Sequence, residues 1–172
     1  MLSLANNDVK VNALNTNVID LIEIVATKIG WQFFRTGDSE ISVILTSENV
    51  EYHLLVEMRQ EVYEALYFSC DVDIEIQNDQ YQNGAIAIVK ANEHSWLGHF
   101  DIISTNNHIM YSLTIPFASS FNFDEINVES ILTIILDECS RFQQYFSMAI
   151  NSNDVMSDLS INTLFFEALG EA

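Results

Sequence analysis

Residues 50–72, VEYHLLVEMRQEVYEALYFSCDV, decide the fold. Val50, Tyr52, Leu54, Val56 and Met58 point one way, and Glu51, His53, Leu55 and Glu57 point the other. Side chains on a strand alternate between faces with a period of two, so this pattern predicts a strand with one buried face. The chain reverses near Arg59–Gln60. Residues 62–72 then form a second strand, with Leu66, Phe68 and Cys70 on one face and Tyr63, Ala65 and Tyr67 on the other. A connection this short joins antiparallel neighbours.

Upstream, WQFFR at 31–35 and the stretch from Glu40 to Thr46 flank a Gly37–Asp38–Ser39 turn and extend the meander to four strands. A helix over 17–29 precedes them. Val18, Leu21, Ile22, Val25 and Ile29 share its apolar face, Asn17 is its N-cap and Gly30 its stop. Residues 1–15, polar and Asn-rich, read as a flexible N-terminal arm.

Downstream, the spacing predicts a helix over 78–93, capped by Asn78, with Tyr81, Ala85, Ile88, Val89 and Asn92 on one face. Gly84 weakens that helix. Two strands follow at 98–104 and 108–116, turning at Thr105–Asn106–Asn107 and ended by Pro116. A long helix over 124–149 carries the stripe Val128, Ile131, Ile135, Cys139, Phe142, Phe146 and Ala149. Leu132, Ile134 and Tyr145 widen that stripe, so the helix is expected to touch more than one element. After a break at Asn151–Ser152–Asn153, a C-terminal helix over 154–168 carries Phe165 and Phe166.

The order is α-β-β-β-β-α-β-β-α plus a C-terminal helix: an α+β domain over 16–150 and a helical tail over 151–172. Helices that interrupt antiparallel strands gather on one sheet face. The other face is left open or pairs with another chain.

Composition narrows the function. The 172-residue chain has 25 acidic and 6 basic residues, a net charge of -19. Nucleic-acid binding needs cations against phosphates, and this field repels both nucleic acid and anionic membranes. Its acidity suits solubility or a basic protein partner. Asn and Ile are abundant, yet only Lys10, Lys28 and Lys90 occur, so coding bias alone does not explain the charge. Cys70 and Cys139 lie far apart without a CxxC partner, and both sit in apolar runs, where a free thiol behaves as a small buried hydrophobe. That suits a reducing cytoplasm. The N-terminus lacks the basic start and apolar stretch of a signal peptide.

The segment AIAIVKANEHSWLGHFDI at 85–102 resembles the signature of the bacterial YbjN family. Leu21–Trp31 resembles that family's opening helix, Tyr67–Cys70 its strand, Asp137–Phe142 its last helix and Ala168–Ala172 its tail. The likeness runs over residues 14–172. It implies an antiparallel sheet with packed helices like that of the type III secretion chaperones, often dimeric, together with the label of sensory transduction regulator. It implies no reaction and no cofactor.

Within the signature, Gly98 suits an unusual backbone angle or close packing. Trp96 and Phe100 are expected to anchor the turn in the core. His99 and Asp101 share one side of a strand. Asn92, an amide on a helix face, is expected to cap the helix or tie down the turn. Two surfaces are candidates for an interface: the sheet face bearing Tyr63 and Tyr67, near His53 and Leu55, and the final helix with Phe165 and Phe166.

No nucleophile elbow, phosphate loop or HExxH occurs. The favoured reading is a non-enzymatic protein-binding regulator or chaperone-like module. It takes no metal or other cofactor, its partner is a protein or peptide of basic character, and it is a candidate homodimer. Two alternatives stand beside it: a metal protein or enzyme using His94, His99 and Asp101, and a structural subunit of a larger assembly.

Overall fold

The computed structural model describes residues 17–47, 50–60, 64–118 and 121–151. Asn17, extended at ψ 132°, accepts the Ile19 N–H at 3.0 Å and starts α1 (Val18–Ile29). Gly30, at φ 90°, ends it in the left-handed region where a Cβ is disfavoured. Val18, Leu21, Ile22 and Val25 are buried as their spacing predicts. Ile29 is exposed, because the helix ends there and the chain leaves the packed face.

Six strands follow: β1 (Gln32–Arg35), β2 (Glu40–Ser47), β3 (Val50–Gln60), β4 (Glu64–Glu75), β5 (His99–Ile103) and β6 (His108–Phe117). They form one sheet in the order β1-β2-β3-β4-β6-β5, with every pairing antiparallel. The meander occupies one half. Between β4 and β5 the chain forms α2 (Tyr81–His94), and β6 then returns to lie beside β4. That leaves the short β5 at the outer edge. The last helix, α3 (Glu125–Ile150), is started by a capping box between Asp124 and Asn127.

The strands bury one face. Tyr52, Leu54 and Val56, then Leu66, Phe68 and Cys70, then Ile109, Tyr111 and Leu113, pack with α1 and α3. The α+β class, with helices over one face of an antiparallel sheet, is the expected one. α3 touches α1, α2, β2 and β4, which is why its apolar stripe is wide.

Three local readings differ from the structure. β4 continues past Val72 because Asp71 accepts the Asp73 N–H at 2.8 Å, holding Asp73 at φ 58° in a bulge that lets the strand resume. The second helix starts at Tyr81, after Gln80 rather than Asn78. It also buries Gly84, Ala87, Ile88 and Ala91, not the face through Tyr81 and Val89, both of which are exposed. A Cβ on Gly84 would come within 2.5 Å of the Ile76 side chain, so the smallest residues face inward and the helix packs close. The residue that lowers helix propensity is thus the one packing selects.

Cys70 and Cys139 are brought together in the core. Both are free and buried, and a hydrogen bond to Cys70, with burial second, holds the Cys139 thiol well above its ordinary value.

Candidate functional site

The turn from α2 into β5 is held by polar contacts on several sides. Ser95 caps α2, its N–H donating to Ala91 O at 2.8 Å. The Asn92 carboxamide donates to Phe100 O at 3.0 Å and accepts the Phe100 N–H at 2.7 Å. The single Ser95 hydroxyl proton is shared between Leu97 O at 3.0 Å and Glu138 Oε2 at 2.7 Å. The Tyr111 hydroxyl also donates to Leu97 O. Glu138 is only 6% exposed, and Arg141 approaches its other oxygen at 3.6 Å. Gly98 sits at φ 70°, where a Cβ would lie 2.5 Å from Ser112 O and 2.7 Å from the Tyr111 hydroxyl.

Trp96 does not anchor this turn in the core: it is 72% exposed. The space beneath the turn is taken by the Tyr111 ring and the Ser95–Glu138 pair, so the indole is left outside. Phe100 alone reaches the core, against Tyr111 and Phe142 with ring centroids 5.1 Å away, and against Phe146 at 5.0 Å.

The Asn92 contact has a measurable consequence. Asn92→Ala leaves both Phe100 backbone groups without their partner, a cost of about 1–3 kcal/mol. Asn92→Asp keeps the accepted bond but sets a carboxylate against the Phe100 carbonyl, so it is expected to recover only part of the loss. Urea unfolding midpoints of the two variants check this.

Burial pushes the hydroxyls of Tyr111 and Tyr145 well above the usual phenol value, helped by the charges of Glu138 and Glu93 respectively. Unfolded tyrosines ionise near ~10. Above that pH the unfolded chain has lost protons that the native chain keeps, so the contribution of these two tyrosines is full below it and is lost as pH rises. The expected slope is about 1.4 kcal/mol per pH unit for each tyrosine. An unfolding free energy that stays level from about pH 9 to about pH 11 contradicts this.

His99 and Asp101 lie on the outward face of β5, exposed, with 3.3 Å between Nε2 and Oδ2. Among the described residues no three His, Cys, Asp or Glu side chains gather in a set able to hold a metal ion, so the alternative based on His94, His99 and Asp101 has no such set behind it. No helix among the described residues is long and apolar enough to cross a membrane.

The sheet face that no helix among the described residues covers carries Leu55 beside Ser69 and His53 beside Asp71, whose carboxylate meets His108 Nδ1 at 3.0 Å. Tyr67 lies on this face, half-buried. The Arg59 guanidinium stands 3.7 Å over its ring, and Ser112 Oγ is 3.3 Å from its hydroxyl. Among the described residues it is therefore covered by an arginine rather than by a helix. Tyr63, Phe165 and Phe166, with the N-terminal arm and the C-terminal helix, lie outside the described residues.

A further feature escaped the sequence reading. β5 pairs with β6 only as far as His99 opposite Ser112. Because Phe100 turns its N–H and C=O to Asn92, away from β6, His99 and Ser112 form a hydrogen-bonded pair. By the same alternation Thr114 and Pro116 point their backbones outward on the β5 side, where no strand lies among the described residues. Pro116 has no N–H to offer, which suits an edge. This free stretch borders an open groove of about 700 Å³ lined by Ile115, Pro116, Phe117, Phe121, Phe123 and Ile131, among others, with no charged side chain among the described residues that line it. Three acids are next to its lining residues in the sheet or the chain: Glu64 opposite Phe117, Asp124 beside Phe123, and Glu129 beside Ser130 on α3.

Residues 19–148 match the YbjN family, described as "Putative bacterial sensory transduction regulator". The chain belongs to that family, as the WLGHFD segment implied. Among solved structures it is similar to a chain of the crystal structure of the ExsC–ExsE complex, with a TM-score of 0.51 and 17% identity over 76% of this chain and 93% of that one. At that identity the likeness speaks for the fold. No curated protein matches the chain.

Proposed function

We propose that the chain is a non-catalytic, protein-binding regulator or chaperone-like module that takes an extended segment of a partner along the free edge of β6. The observation that carries this reading is the coincidence of a strand edge unpaired among the described residues, at Thr114 and Pro116, with an apolar groove that has no charged residue among them in its lining. A strand added there gains main-chain hydrogen bonds from the edge and sends alternate side chains into the groove. The neighbouring acids Glu64, Asp124 and Glu129, and the overall charge of -19, favour a segment whose apolar anchors are flanked by Lys or Arg. Membership of a family described as regulators fits a binding role. The two buried free thiols suit the cytoplasm. A homodimer is part of the reading as well.

The test is co-purification of the tagged full chain from its own cells, followed by native mass spectrometry at low and raised salt. One stoichiometric partner is expected, released as salt rises and lost with Phe121→Glu, which places a carboxylate in the groove. A partner held equally by the Phe121→Glu chain refutes the site. No stoichiometric partner at all refutes the function.

A further inference from the structure

We infer that the Ser95–Gly98 turn is a second docking element, with Trp96 as an anchor that packs against apolar side chains of the same partner segment just beyond the groove. This rests on the reading above that the chain binds an extended segment, and adds a site to it.

Trp is mostly buried in folded proteins, and an exposed one is concentrated at interfaces, where it dominates binding. Here its exposure is built in. The turn that displays it is fixed by the Asn92 clamp on Phe100, by the Ser95 hydroxyl between Leu97 O and Glu138, by the Tyr111 hydroxyl on Leu97 O, and by a glycine that no larger residue replaces without a clash. Burying Glu138 costs desolvation. That cost falls on a turn whose largest side chain contributes little to the core. A turn held in a single shape loses little entropy on binding, which is what an anchor requires.

Position supports the choice of occupant. Gly98 lies against Ser112 O, and Thr114, the first free edge residue, is two strand positions further, about 7 Å. Trp96 thus stands at the end of the slot, where a segment paired with β6 leaves the groove. Leu97 and Val89 are also exposed nearby. Exposed Glu93, paired with Lys90, and Asp101, paired with His99, flank the turn in the chain, Asp137 is exposed next to Glu138, and the net charge of -19 favours a segment that carries Lys or Arg beside its apolar residues.

The experiment places a photo-crosslinking benzoylphenylalanine at position 96, and separately at 121, in the full chain in its own cells. Expected are crosslinks from both positions to one protein, mapping to neighbouring residues of one apolar segment flanked by Lys or Arg. Crosslinking from 121 alone overturns the turn's role and leaves the groove standing. Silence at both overturns the function itself, and a crosslink from 96 to another copy of this chain overturns the choice of partner. With the partner in hand, Trp96→Ala is expected to weaken binding roughly thirty-fold while leaving the unfolding midpoint unchanged, since the indole is in water. A loss of less than about three-fold contradicts an anchor.

Discussion

Phe100→Ala is expected to remove about 3–5 kcal/mol of stability, a large part of the roughly 5–15 kcal/mol that holds a typical domain. Phe100 is fully buried, and its ring meets Tyr111, Phe142 and Phe146 at once, so β5, β6 and α3 all pack on it. Truncation leaves a hole between a strand and a long helix, neither of which moves in without breaking its other contacts. Apart from this ring, the main support of β5 among the described residues is α2 and β6, so the edge strand and the turn before it are expected to loosen first. Denaturant unfolding followed by circular dichroism measures the loss. A change below about 1 kcal/mol shows that the ring is not central to packing.

Gly98→Ala is expected to cost about 2–4 kcal/mol, from left-handed backbone strain and from the clash with Ser112 O and the Tyr111 hydroxyl. The atoms in the way are a strand carbonyl and a hydroxyl already bonded to Leu97 O, so neither yields cheaply. Two other glycines grade the comparison. A Cβ on Gly84 meets the flexible end of Ile76, and a smaller loss is expected. A Cβ on Gly37 meets nothing within 4 Å, and a change within about 0.5 kcal/mol is expected. Equal effects at Gly98 and Gly37 contradict the close approach described for this turn.

What was legible in the residues follows from periodicity. Tyr52, Leu54 and Val56 alternate with Glu51, His53, Leu55 and Glu57, and α1 repeats its apolar residues at three and four, so both elements and their buried faces read directly. α2 was harder. Its inward face is made of Gly84, Ala87 and Ala91, whose small size reflects a close approach to Ile76 that no pattern within the helix reveals. Trp96 was misplaced because hydrophobicity argues for burial and says nothing of a turn whose inner side is already filled. Nothing in the pattern of α3 singles out Glu138, a carboxylate set among apolar residues. Only the fold shows that Ser95 and Arg141 meet it there. The groove draws on Phe121 and Phe123, which have no period, and its free edge exists because β5 is five residues long and β6 ten. Strand lengths in different parts of the chain are not compared by any local pattern.

The central claim is that β6 receives a partner strand, and hydrogen exchange at the Thr114 amide tests it most directly. In the free chain that N–H points out from an edge with no strand beside it among the described residues and is expected to exchange quickly, while the Leu113 and Ile115 amides, which face β4, are protected. In the purified complex the account predicts that the Thr114 amide becomes protected like its two neighbours. A Thr114 amide that exchanges as fast in the complex as in the free chain contradicts it.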